Sequence, residues 1–176
     1  MNITLHRTLM VCVLAGALAL ATALVAAKDV SAAPSPALAG GATQISGVGF
    51  FADKDVCGDS EGEGANYALI LNGDLKGCLY TFIETTKSSP SGTYRETGTE
   101  VFVSNVPNRP GTFATTYRVE AKYEDVANLT GEIFGRCQHP IVEGSGTGIF
   151  EGVTGRLDFK DDIEAGNFPY RGHLRW

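Results

Sequence analysis

The sequence predicts an all-β domain built from short antiparallel strands, and three observations support that fold class. After residue 40 no stretch has the apolar spacing that an amphipathic helix requires. Short runs rich in Thr, Val, Ile, Tyr and Phe recur instead, and these residue types favour strands. Clusters of Gly, Pro, Asn and Asp separate the runs, as turns do in a β-barrel or a β-sandwich.

The alternating runs predict eight strands in a single domain at residues 40–176, which is long enough for one hydrophobic core. The predicted strands are 43–52, 66–72, 75–86, 93–104, 112–124, 131–142, 156–163 and 168–176.

The clearest hairpin lies between residues 93 and 124. Its second strand alternates apolar and polar side chains, which predicts that one face points toward the core. Two prolines and a glycine mark the turn. A register that pairs Phe102 with Phe113 also pairs Arg95 with Glu120, and both pairs are favourable across antiparallel strands.

In that register Glu96 and Glu100 point toward the interior. A carboxyl group in an apolar lumen can act as an acid, a base or a hydrogen-bond anchor, so these two are the candidate catalytic residues. The alternatives are a register that differs by one residue, or acids that lie solvated at the barrel mouth. The candidate ligand-binding residues on the inner face are Tyr80, Tyr94, Phe102, Phe113 and Tyr117.

The strand that precedes this hairpin is expected to add aromatic rings to the same lumen. Tyr80 would lie over Gly98, and Phe82 would lie beside Glu96. Leu79 and Ile83 would then face outward, which indicates a covering loop or a subunit contact.

Residues 1–39 have the layout of a secretory signal peptide. A positive start that includes Arg7 precedes an Ala/Leu/Val run, and small residues follow before Gly40. The alternative is a membrane anchor, because the run is about as long as a bilayer needs. The abundance of alanine and the small residues favour cleavage. The sequence therefore predicts a secreted, extracellular domain that meets a membrane only through an uncleaved signal segment.

The charge of the domain argues against a nucleic-acid partner. The full chain has a net charge of −6, and removing Arg7, Lys28 and Asp29 with the signal segment makes it −7. An acidic domain repels the phosphate backbone, so no nucleic-acid binding is expected.

Three cysteines follow the predicted signal peptide, and disulfides can persist outside the cytoplasm. A Cys57–Cys78 bridge is preferred, and it would stabilise the fold by about 3 kcal/mol. Cys137 would then be buried and free, or paired between subunits. Cys137 and His139 share one face of a strand, and we interpret them as structural residues rather than as a thiolate–imidazole pair or a metal site.

The glycine-rich stretch at 144–161 does not match a phosphate-binding loop. Glu151 stands where a dinucleotide fingerprint has its third glycine, and no Gly-Lys-Ser or Gly-Lys-Thr occurs. We interpret the glycines as tight bends at the barrel wall, with Ile149, Phe150 and Val153 filling the core.

Metal ions and cofactors also lack a matching motif. Residues 51–64 resemble a calcium loop in part, but Cys57 takes its fifth position and Gly64 replaces its last glutamate. The sequence therefore predicts no cofactor and no metal site.

Residues 146–157, GTGIFEGVTGRL, resemble the Gly-Thr-Gly-x-Phe-x-Gly-x-x-Gly segment of allene oxide cyclases and plant dirigent proteins. LNGDLKGCLY, SGTYRETGTEVFVS, GRCQHPI and FPYRGHL resemble exported bacterial proteins with an allene oxide cyclase barrel-like domain. The resemblance implies an eight-stranded antiparallel β-barrel of the calycin type, with a ligand-accepting lumen and assembly into homo-oligomers. The catalytic positions of the cyclases have no residue-by-residue match here, so their activity is not carried over.

Three functions are compatible with these observations. The first is binding of a small, largely apolar ligand in the lumen. The second is a cofactor-free cyclase or isomerase that uses Glu96 or Glu100 as acid or base. The third is an extracellular interaction protein whose barrel is filled with side chains, since a barrel of eight strands is near the size where either outcome occurs.

Overall fold

A computed structural model of the chain describes residues 41–176. The predicted signal peptide at 1–39 lies outside the described residues. Within residues 41–176, no helix has the length and apolar character needed to cross a membrane. The strands are β1 Thr43–Ala52, β2 Tyr67–Gly73, β3 Gly77–Ser88, β4 Thr93–Ser104, β5 Thr112–Asp125, β6 Thr130–Pro140, β7 Thr154–Lys160 and β8 Phe168–Arg175.

The eight strands form one closed antiparallel barrel. Each strand pairs with the next along the chain, and β8 pairs with β1 to complete the circle. The predicted all-β fold class and the eight-stranded antiparallel barrel are therefore confirmed. Helical structure in the described part of the chain is limited to α1, Lys54–Cys57, and two short 3-10 turns at Ser60–Gly62 and Gly148–Phe150.

The β4–β5 hairpin has the predicted register. Phe102 pairs with Phe113, and Arg95 pairs with Glu120. The Arg95 Nη2 atom lies 3.0 Å from Glu120 Oε2 on the outer face. The other face points into the barrel, where both Phe rings are fully buried. In β4 and β5, period-two alternation therefore correctly predicts which face points inward.

The prediction for β3 is wrong by one residue. Leu79 pairs with Phe102, and Thr81 pairs with Glu100, so both point inward. Tyr80 points to the outside of the barrel and therefore does not line the lumen. The segment that follows α1 buries Tyr80, because Gly62 packs directly on the tyrosine ring. A Cβ atom at position 62 would lie 2.3 Å from Cε1 of Tyr80.

The disulfide explains this shift of register. The bridge joins Cys57, in α1 outside the barrel, to Cys78 in β3, with 6.3 Å between the Cα atoms. Because Cys78 must face outward to meet Cys57, Tyr80 and Phe82 face outward as well. Cys78 and Tyr80 form a separate buried cluster against which Phe82 packs. The predicted outward positions of Leu79 and Ile83 are therefore wrong, since Ile83 pairs with the inward-facing Gly98.

Three aromatic rings fill one end of the barrel, which we call the plug end. Phe102 and Phe113 stack with their ring centroids 5.0 Å apart, and Phe150 meets both rings edge-on. The glycine-rich stretch carries Phe150 to this position. Gly148 has φ of 56°, and a Cβ there would lie 2.2 Å from the carbonyl oxygen of Pro110. The interpretation of this stretch as a tight bend that fills the core is confirmed.

Candidate functional site

The opposite end of the barrel, which we call the open end, contains a cavity of about 300 Å³. It reaches the surface beside Phe51, whose side chain is 65% exposed. Its lining combines apolar and aromatic side chains with four acidic residues and one histidine. The lining residues used below are Phe51, Tyr67, Leu69, Tyr94, Glu96, Glu100, Tyr117, Val119, Ala121, Tyr123, Glu132, Cys137, His139, Phe159, Asp161 and Phe168.

Three tyrosine hydroxyl groups converge on the carboxyl group of Glu96. Tyr94 donates to Oε2 at 2.5 Å, and Tyr117 donates to Oε1 at 2.8 Å. Tyr67 donates to the same Oε1 atom at 3.3 Å. Glu96 thus accepts hydrogen bonds from three different strands, which satisfies most of the acceptor capacity of a carboxylate.

Burial keeps these three phenols protonated. Loss of hydration raises the pKa of Tyr67, Tyr94 and Tyr117 well above the usual range, and the nearby Glu96 raises each of them further. The three hydroxyl groups therefore keep their protons and act as hydrogen-bond donors to the carboxyl group of Glu96.

Deeper in the lumen, Glu100 is held by a second set of donors. Thr115 donates to Oε2 at 2.7 Å, and Thr81 donates to Oε1 at 3.1 Å. His139 Nδ1 lies 2.5 Å from Oε2. The side chains of Glu100 and His139 are 2% and 4% exposed. The structure therefore contains a buried carboxylate–imidazole pair whose geometry is fixed by two threonines.

The second ring nitrogen of His139 lacks a partner. Nε2 is buried and makes no hydrogen bond within the described residues. The ring lies between Tyr117, at a centroid distance of 6.0 Å, and Phe159, at 4.6 Å. His139 lines the cavity, and in a neutral ring whose Nδ1 donates to Glu100 the buried Nε2 atom is an acceptor.

Cys137 also lines the cavity, two residues before His139 on the same face of β6. Its thiol is buried and free. Burial raises the pKa of this thiol well above its usual range, and the charge of Glu100 adds to that effect. Cys137 is therefore a neutral thiol, which agrees with the structural interpretation of this residue.

Two further acids stand at the mouth of the cavity, Glu132 on β6 and Asp161 after β7. Partial burial raises the pKa of Glu132 to about 7, and a hydrogen bond with the Asp161 carboxyl group contributes. Two carboxyl groups can share a hydrogen bond only when one of them holds a proton. Among residues 41–176, no three His, Cys, Asp or Glu side chains are grouped so as to hold a metal ion.

The cavity brings together only part of the predicted site. Glu96, Glu100, Tyr94 and Tyr117 all line it. Phe102 and Phe113 lie inside the barrel but belong to the plug end. Phe102 also borders a second cavity of about 290 Å³ at that end.

Sequence reasoning missed Tyr67 and His139 as parts of this site. Tyr67 begins β2 and shares its inner face with Leu69. His139 lies on the inward face of β6, and the alternation of residues in the sequence indicates this orientation. The contact between His139 and Glu100 could not be predicted from the sequence, because β6 pairs with β5 rather than with β4. The two residues meet across the lumen.

Comparison of the chain with protein-family models, with curated proteins and with solved structures found no match.

Proposed function

We propose that this chain is a secreted β-barrel protein that binds a small, largely apolar ligand in its lumen. The observation that carries the proposal is the cavity of about 300 Å³ at the open end. Leu69, Val119, Phe159 and Phe168 contribute apolar walls to it. A concave apolar site with a few converging polar groups is typical of small-molecule binding, and this volume falls within the range of such sites.

Secretion is supported by the Cys57–Cys78 disulfide, since such bonds persist in oxidising compartments. An interaction protein with a filled barrel is supported less well. It would need neither a cavity nor inward carboxyl groups, whereas both are present here.

Native mass spectrometry of the protein purified from its own secretion medium tests ligand binding. We expect added mass on the order of a few hundred daltons, the mass of a ligand that such a cavity holds, and its loss on denaturation. A clean apo mass at every charge state would contradict the proposal. The same spectrum reports the number of subunits and so tests the homo-oligomer that the resemblance implies.

A cavity-filling variant makes this test specific to the lumen. Ala121 is buried at the cavity wall, so Ala121→Phe should abolish the added mass. Ala127 lies exposed in the turn after β5, and Ala127→Phe adds the same ring outside the barrel. The control variant should keep the added mass. Retention of the ligand by Ala121→Phe, with the barrel still folded by circular dichroism, would place the ligand elsewhere.

A cofactor-free isomerase or cyclase of the allene oxide cyclase type is the second candidate, and the Glu100–His139 pair favours it. A base within reach of a cavity and oriented by a carboxylate is a common arrangement for proton transfer. His139 Nε2 would take a proton from one carbon of the ligand and return it to another carbon. This step is balanced without an oxidant or a cofactor.

Deuterium uptake separates catalysis from binding. In D₂O the native protein should transfer deuterium to the carbon skeleton of its ligand, and the recovered ligand should gain mass. His139→Gln should stop the uptake while the ligand stays bound. A ligand that stays unlabelled in the native protein would contradict catalysis and leave binding intact.

A further inference from the structure

The charged residues around the cavity are almost all acidic. Glu96, Glu100, Glu132 and Asp161 line it, and none of its lining residues is a lysine or an arginine. His139 is the one basic side chain in the lining. Because Glu132 and Asp161 share a hydrogen bond that requires a proton, this pair contributes one negative charge rather than two. Low-dielectric walls strengthen the field of the remaining charges, so the cavity attracts cations and repels anions.

Glu96 is bound by hydroxyl groups alone, all of them from tyrosines. Glu100, deeper in the lumen, receives its hydrogen bonds from two threonines and His139. Glu120, on the outer face, is neutralised instead by Arg95 and Arg136, at 3.0 and 2.8 Å. The outer face thus balances Glu120 with cations of the chain itself, whereas Glu96 in the cavity contacts no cationic side chain among the described residues.

The second ring nitrogen of His139 is an independent observation. His139 lines the cavity, and its Nε2 atom is buried without a hydrogen-bond partner among residues 41–176. In a neutral ring whose Nδ1 donates to Glu100, Nε2 is an acceptor, and a hydrogen-bond donor is the partner that this form of the ring requires.

The aromatic side chains suit the same kind of ligand. Tyr67, Tyr94, Tyr117, Tyr123 and Phe159 surround the polar part of the cavity. The faces of aromatic rings attract cations, and most strongly where water is excluded. An ammonium ion attached to a small organic molecule suits both the acidic lining and the aromatic rings, and it carries hydrogen-bond donors.

We infer that the ligand of this cavity is a small organic cation, with an ammonium group attached to an apolar body. The inference rests on the proposed lumen-binding function and specifies its ligand class. The ammonium group lies near Glu96, Glu100 and His139, and the apolar body lies against Leu69 and Phe159.

Isothermal titration calorimetry with three probes that share one apolar body tests the inference. The probes are 2-phenylethylammonium, 2-phenylethanol and 3-phenylpropionate. We expect the ammonium probe to bind about tenfold more tightly than the alcohol, as a cation contact in a desolvated aromatic site implies. The carboxylate should show no measurable binding. Equal or tighter binding of the alcohol, or any binding of the carboxylate, would overturn the inference.

Absence of binding by all three probes would also overturn it. The native mass spectrum of the same sample then tests whether the lumen binds any ligand. A retained ligand of neutral or anionic chemistry would preserve lumen binding alone, whereas a clean apo mass would reject both.

Variants that remove one carboxylate charge test whether Glu100 contributes to binding of the ammonium probe. Glu100→Gln should weaken the ammonium probe about tenfold and change the affinity for the alcohol by less than about threefold. Glu143→Gln removes the same charge from an exposed turn after β6, and it should alter neither affinity. An unchanged preference in a folded Glu100→Gln variant would contradict the role of Glu100. If that variant does not fold, the probe comparison on the native protein remains decisive.

Discussion

The interior of this barrel is packed differently at its two ends. At the plug end, Phe102, Phe113 and Phe150 are in direct contact and almost completely buried. The second cavity, of about 290 Å³, lies on one side of these rings and is bordered by exposed residues such as Lys76, Arg109 and Trp176. At the open end, small residues such as Ala121 and the hydrogen-bonded acids leave about 300 Å³ unfilled. The same eight strands therefore carry a packed core and a cavity along one axis.

Buried polar groups in this barrel occupy the region between the packed end and the open end. Glu100 and His139 lie between the two ends, where both side chains are almost completely buried. Thr81 and Thr115 contact Glu100 from the two neighbouring strands, and His139 reaches it across the lumen. Burying a charged group without partners is costly, so this network depends on a rigid wall around it. The plug end supplies that rigidity, and the open end supplies access.

The largest effect is expected from breaking the plug. Phe113→Ala should lower the free energy of unfolding by about 3–5 kcal/mol, because it removes a fully buried ring and leaves a void between two others. Urea denaturation followed by tryptophan fluorescence or circular dichroism measures this change. A loss below about 1 kcal/mol would mean that the plug end is loosely packed.

A somewhat smaller effect is expected from the outer cover of β3. Replacing both Cys57 and Cys78 by serine removes a bridge with a sequence separation of 21 residues. The expected loss in unfolding free energy is about 3 kcal/mol. Because Cys78 and Tyr80 face away from the lumen, the affinity for a lumen ligand should stay unchanged. Loss of ligand binding in a folded double variant would show that the outer cover also shapes the cavity.

The sequence allowed the β4–β5 hairpin to be predicted, and with it the placement of both inner glutamates. Its alternation is regular, and the pairs Phe102–Phe113 and Arg95–Glu120 select one register. The glycine-rich stretch was also predictable, since its motif excluded phosphate binding and its apolar residues had to be buried.

The strand β3 shows why the rest was missed. Its apolar residues occur on both faces, because the segment after α1 buries the outer one, so alternation alone does not fix the register. The preferred disulfide contained the missing signal, since Cys78 and Tyr80 have the same parity. The contact between Glu100 and His139 could not be predicted from pairwise strand register alone. Closure of the barrel brings together residues from strands that are not neighbours.

The acids at the open end predict a measurable dependence of stability on pH. The folded protein raises the pKa of Glu132 to about 7 from an ordinary value of 4.5, so it binds this proton more tightly than the unfolded chain does. Stability is then fully present below about pH 4.5 and is lost as the pH rises toward 7. Urea midpoints from pH 4 to 8 should show this decline, and Glu132→Gln should flatten it.

Glu124 provides the matched control for that titration. It is an exposed glutamate near the end of β5, and Glu124→Gln changes the net charge by the same amount. This variant should keep the slope of the native protein between pH 4.5 and 7. A flat profile in the native protein, or the same slope in Glu132→Gln, would show that the carboxyl pair does not form.

The smallest effect on stability is expected from the phenylalanine at the cavity mouth. Phe51 is 65% exposed and meets Phe168 and Tyr67 edge-on, at centroid distances of 4.6 and 5.5 Å. Phe51→Ala should therefore change the unfolding free energy by less than about 1 kcal/mol, in contrast to Phe113→Ala. It should still weaken 2-phenylethylammonium binding in calorimetry, because the ring borders the cavity. A stability loss as large as that of Phe113→Ala would mean that both ends are packed alike, and the contrast between them would no longer hold.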